Sequence, residues 1–190
     1  MSVGSNRFTE DRKGEPIDED EYEDEIEEGP ELLAQSLFSV GVAYGYLGNH
    51  PEAINQYQQA REIFKEEKMV GEVGECDLLI AEANFESGNP IEAIAAGKRA
   101  ADVNWFTYSD NLHARSHLVL VKSYLAIGEL EAAGPHLVDA QALVNYTDRK
   151  DWELVVEVEQ LRADHMKAGG LGADTVEIER RLATIREILG

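Results

Sequence analysis

From Glu31 onward the apolar residues recur at helical spacing, and no stretch alternates convincingly as a half-buried strand would. Between Leu37 and Leu47, apolar or small residues fall at 37, 40, 41, 44 and 47, the stripe of a half-buried helix. Gly48 is placed to end that helix, because a glycine just past the last turn takes the left-handed conformation at little cost. Asn49 or His50 is expected to cap a second helix, with Pro51 at its first position. That helix carries Ala53, Ile54, Tyr57, Ala60, Ile63 and Phe64 on one face. The stretch GNHPEAI, residues 48–54, therefore predicts the turn of a helical hairpin.

The same pattern returns. Shifting the chain by 40 residues superposes Gly48, Gly88 and Gly128, then Ala53, Ala93 and Ala133, then Ala60, Ala100 and Ala140. Each glycine is expected to close a first helix, and each alanine pair to let the second helix approach its neighbours closely. Residues 150–190 form a degenerate fourth unit. Trp152, Val155, Val158 and Leu161 make a stripe ended by Gly169-Gly170, and Asp174 with Glu177 reads as a capping box before Ile178, Leu182, Ile185 and Leu189. Terminal repeats are expected to be atypical, since one face meets water. The units span about 31–68, 69–108, 109–147 and 148–190.

Leu37, Val40, Gly41, Tyr44, Gly48, Ala53, Tyr57 and Ala60 in the first unit resemble the tetratricopeptide repeat. The second unit keeps Ile80, Ala81, Gly88, Ala93 and Ala100 but has Asn84 and Gly97 where aromatics are usual. The third keeps Leu120, Tyr124, Gly128, Ala133, Leu137 and Ala140, with Gly134-Pro135 placed to kink or delay its second helix. The 40-residue period, against about 34 in the common form, implies longer helices or longer loops. The resemblance implies an all-α, right-handed α-solenoid of antiparallel helix pairs, with three clear repeats and a degenerate C-terminal capping pair.

Composition changes the picture at the N-terminus. Residues 1–30 hold twelve acidic and three basic side chains, −9 of the chain's net −21. The run DEDEYEDEIEE cannot bury enough apolar surface to offset the entropy of ordering, so a disordered acidic arm is expected ahead of a repeat domain at 31–190. Its bland role is solubility. Two other readings are a docking motif around Tyr22 and Ile26, and a fold back onto a basic end of the repeats at Arg115 and Lys122. The charge argues against direct nucleic-acid binding and favours basic or amphipathic partners. With no apolar leader and no membrane-length apolar run, a cytoplasmic protein is expected.

In the family that the chain resembles, first helices line a concave groove that receives an extended peptide or a partner helix. Carried onto this sequence, the groove positions are Gln35, Phe38, Val42 and Tyr46, then Glu75, Leu78, Glu82, Phe85 and Glu86, then Arg115, Leu118 and Lys122. Phe38 and Val42 stand where chaperone-binding members carry a Lys/Asn clamp, so a chaperone C-terminal tail is not expected. Trp105, Phe106 and Tyr108 read as an anchor between units two and three, or as an exposed contact surface. His113 and His117 share a helix face that a metal would bridge. With no third ligand at supporting spacing, they read as ordinary polar residues. Lone Cys76 reads as a buried, inert thiol, and no nucleophile, phosphate-loop or metal motif occurs. The expectation is a non-enzymatic scaffold, adaptor or peptide-responsive sensor without cofactor or metal. The alternatives are an acidic decoy or chaperone for a basic protein, and a structural subunit of a larger assembly.

Overall fold

The computed structural model describes residues 29–106, 110–144, 150–167, 176, 180, 181, 183–185 and 187, leaving aside the side chains of 104–106, 150–152, 154 and 165. The acidic arm, the proposed capping box, Gly169-Gly170 and the side chains of Trp105, Phe106, Tyr108 and Trp152 lie outside this description. Among the described residues the helices follow in order: α1 (Pro30–Tyr46), α2 (His50–Glu66), α3 (Val70–Glu86), α4 (Pro90–Phe106), α5 (Asp110–Ala126), α6 (Leu130–Val144) and α7 (Lys150–Lys167), with further helical residues between 176 and 187. Each packs chiefly on the helices before and after it, giving an all-α, solenoid-like stack with no strand among the described residues. None of these helices is long and apolar enough to cross a membrane.

The repeat is finer than 40 residues. Successive helices begin 20 residues apart, and each of α1 to α5 runs for 17 residues. Three-residue turns join α1 to α2, α2 to α3, and α3 to α4. The long period thus comes from long helices rather than long loops. Gly48, Gly88 and Gly128 all have positive φ, at 72°, 78° and 83°. After each glycine the next amide donates to the carbonyl five residues back, as Asn49 does to Tyr44 at 2.9 Å. Each glycine amide donates to the carbonyl three residues back, completing a Schellman closure. Lys68 fills the equivalent place between α2 and α3 with φ 61°, a conformation that costs a lysine more than a glycine. Asn49 occupies the cap position of α2, but its side chain makes no capping bond. The hairpin is held by the outgoing turn and by Pro51, which is the second residue of a helix that begins at His50.

The small residues sit where helices cross. Ala53, Ala60, Ala93, Ala100, Ala133 and Ala140 are all essentially inaccessible. In the first hairpin Gly41 faces the Tyr57 ring, and a Cβ there would stand 2.7 Å from two ring carbons. In the second, Ala81 replaces the glycine and Gly97 replaces the tyrosine. The space at Gly97 is taken by Leu120 of α5, 3.0 Å from where a Cβ would lie. The departure at Gly97 is therefore a socket for the following hairpin. Val40 on α1 and Leu47 just past its end, both in the predicted stripe, are exposed, since among the described residues α1 packs chiefly on α2. Pro135 does not delay α6, which begins at Leu130 with Pro135 on its solvent side. Ile185 is fully buried against Val158 and Leu161, seating the C-terminal segment on α7.

One buried charge joins three helices. Asp77 on α3 is 1% exposed, and its Oδ1 accepts bonds from Arg61 Nε of α2 at 3.0 Å and Arg99 Nε of α4 at 2.9 Å.

Candidate functional site

Alternate helices α1, α3 and α5 present their faces side by side. Val42, Gly45 and Tyr46 of α1, with Leu79, Glu82, Ala83 and Glu86 of α3 and Arg115 of α5, line a depression of about 280 Å³ floored by His50 and Tyr57. A second depression, of about 360 Å³, is lined by Glu82, Phe85, Glu86, Arg115, Leu118, Val119 and Lys122, with Val155 of α7. The two share Glu82, Glu86 and Arg115, so they adjoin along one face of the stack from α1 to α7, a trough crossed by the Glu82–Arg115 pair.

Of the positions expected in a groove, Val42, Tyr46, Glu82, Phe85, Glu86, Arg115, Leu118 and Lys122 come together in this trough. Tyr46 is 90% exposed at its outer end. Four others do not line it. Leu78 is fully buried in the core around Ala53 and Tyr57 and offers nothing to a partner. Phe38 is half-buried with its ring 5.8 Å from that of Tyr57, Gln35 is exposed further along α1, and Glu75 is half-buried. Leu79, His50, Tyr57, Val119 and Val155 line the trough and were not anticipated. Leu79 differs from Leu78 by one step in helical phase, which residue spacing alone does not resolve.

The electrostatics of the trough are largely internal. Arg115 donates twice to Glu82, from Nε at 3.1 Å and from an Nη at 2.7 Å, the bidentate form that fixes both side chains. The basic end expected at Arg115 and Lys122 is therefore weaker than the sequence suggests, since the Arg115 charge is answered across the helices. Burial, and secondarily the Glu82 carboxylate, push the Tyr57 hydroxyl up to about 12, so it remains a neutral donor at the floor. The Nδ1 atom of His50 is buried with no hydrogen-bond partner among the described residues. Cys76 is no nucleophile: burial foremost, then the Asp77 and Glu75 carboxylates, push its thiol up to about 12.

A second cluster lies apart, between α4, α5 and α6. His113, His117 and His136 with Asp139, Lys98 and Asp102 line a cavity of about 780 Å³. His117 Nε2 lies 3.0 Å from His113 Nε2, and His117 Nδ1 lies 3.1 Å from His136 Nδ1. Asp139 Oδ2 stands 3.7 Å from His117 Nδ1. The sequence shows the helical pair His113 and His117, but His136 and Asp139 arrive from the next helix. Shifting the chain on itself finds equivalent positions, not touching ones, so it does not pair them.

No protein-family model matches the chain, and no curated protein matches it in sequence.

Proposed function

We propose that this chain is a non-enzymatic interaction scaffold, a tetratricopeptide-like adaptor or peptide-responsive sensor of the cytoplasm. It would hold an amphipathic, basic partner segment along the trough on α1, α3 and α5. The observation that carries this reading is the continuity of the trough: three alternate helices supply one surface with apolar places at Val42, Leu79, Phe85 and Leu118 and an exposed aromatic at Tyr46. Apolar side chains of a partner would gain burial at those places. Glu86, exposed beside the Glu82–Arg115 pair, favours a cation on the same partner. A trough built on rigid helices reduces the ordering entropy lost on binding.

The test is a random short-peptide library panned on the purified chain. Enriched peptides should combine apolar and basic residues and should lose binding to a Tyr46→Ala/Phe85→Ala variant that keeps its helical circular dichroism. Peptides that bind this variant as well as the wild type would remove the trough from consideration. The net charge of −21 favours one further reading, an acidic decoy or chaperone for a basic protein acting through its whole surface. Such binding would survive the double variant.

A further inference from the structure

We infer that His117, His136 and Asp139 form a binding site for a divalent transition metal of the zinc class, with a coordination position left open toward the cavity between α4, α5 and α6. One ligand atom from each of His117, His136 and Asp139 lies within 4.8 Å of the others, with His117 Nδ1 3.1 Å from His136 Nδ1 and 3.7 Å from Asp139 Oδ2. Two nitrogens bound to one tetrahedral zinc stand roughly 3.3 Å apart, given Zn–N bonds of about 2.0–2.1 Å. The observed Nδ1 to Nδ1 separation of 3.1 Å therefore needs only a small adjustment to admit an ion. Two histidines with one carboxylate form a donor set that zinc accepts while keeping a fourth position for water or another ligand.

The surroundings orient these donors. His113 Nε2 lies 3.0 Å from His117 Nε2, and in the tautomer in which His117 Nε2–H donates to His113, His117 Nδ1 keeps its lone pair beside His136 and Asp139. This is the role that outer partners play for metal-bound imidazoles, fixing tautomer and ring orientation. The ring of Tyr124 stacks on His136 at 5.7 Å and 7°, setting the plane of the second ligand. Among the described residues Lys98 is the one cation lining the cavity, and its ammonium lies 5.8 Å from the centre of the Tyr124 ring, on which it finds an alternative partner. Asp102 adds a carboxylate to the wall, offsetting the charge of a bound dication.

The experiment uses the full chain, stripped of metal with a chelator and titrated with zinc chloride alone in the presence of excess magnesium. Magnesium occupies the many surface carboxylates but competes poorly for imidazole nitrogen. One zinc per chain is expected. Cobalt as a replacement should give the visible absorption bands of a tetrahedral complex. His136→Gln and Asp139→Asn remove a ligand each and should weaken binding by roughly a hundredfold or more, whereas His113→Phe, removing the outer partner, should weaken it by about tenfold to a hundredfold. Asp139 is exposed, so its variant folds normally, and thermal melting without metal confirms this for each protein. His50→Gln should leave zinc affinity unchanged. No saturable zinc uptake above the magnesium background would overturn the site. Equal uptake by wild type, His136→Gln and Asp139→Asn would do the same.

Discussion

At the scale of single residues, Asp77 separates a structural charge from the many solvated ones. It is 1% exposed and receives Arg61 and Arg99 from helices on either side, whereas Glu62, which also pairs with Arg61, is 60% exposed. Removing one partner of a buried pair costs about 3–5 kcal/mol when the other charge is left dry, while exposed pairs contribute about 0–1 kcal/mol. The Arg61 and Arg99 side chains retain 20% and 47% exposure and can be rehydrated, which lowers the first figure. Asp77→Ala should therefore reduce the unfolding free energy by about 2–3 kcal/mol and Glu62→Ala by less than about 0.5, both read from urea denaturation. Equal effects of the two substitutions would mean that the junction is held by apolar packing alone. Nothing in the sequence sets Asp77 apart from its 37 fellow acids, since its meaning lies in a burial that only the assembled helices create.

At the scale of helices, glycine has opposite meanings in different elements. Gly41 lies under the Tyr57 ring with the Ala53 carbonyl 3.3 Å from where a Cβ would be, so neither neighbour yields easily. Gly134 on α6 has open space at that place. Alanine favours a helix over glycine by up to about 1 kcal/mol, and overpacking costs about 1–3. Gly41→Ala should destabilise by about 1–2 kcal/mol, whereas Gly134→Ala should change stability by less than about 1 kcal/mol, because the helix preference of alanine is opposed by crowding of its Cβ against the Pro135 ring; thermal or urea unfolding measures both. A Gly41→Ala protein as stable as the wild type would refute the crossing geometry. The stack was legible in the sequence for the same reason. A left-handed turn demands glycine, and a close crossing demands a small side chain, so Gly48, Gly88, Gly128 and the paired alanines betray both. The turn at Lys68 breaks the first demand and hid the 20-residue helix spacing. The trough was half legible, because which of Leu78 and Leu79 faces outward depends on the rotation of α3 against its neighbours. The histidine cluster was legible only as the pair on α5. His136 joins it through helix pairing, which no one-dimensional spacing records.

At the scale of the whole molecule, charge decides what salt does. A net −21 on 190 residues is self-repelling, and twelve of those charges belong to residues 31–190. Opposing this are cross-helix ion pairs, Arg115 with Glu82 and Arg181 with Glu157, together with the junction at Asp77. The first two are partly exposed and contribute at most about 1 kcal/mol each, and Asp77 is too buried for ions in solution to screen strongly. Screening should therefore relieve more repulsion than it removes attraction. Raising sodium chloride from ~0.01 M to ~0.15 M shortens the screening length from about 30 Å to about 8 Å and should raise Tm by roughly 3–6 °C, the equivalent of about 1–2 kcal/mol for a chain of this size. A fall in Tm over that range would mean that the ion pairs dominate the repulsion. The same titration separates the two functional readings. A segment seated by its apolar side chains in the trough should change affinity by less than about threefold. A basic protein held by the surface charge as a whole should lose more than about tenfold, because much of its attraction acts between exposed charges farther apart than the shortened screening length. A steep loss shared by wild type and the Tyr46→Ala/Phe85→Ala variant would move the function from the trough to the acidic surface.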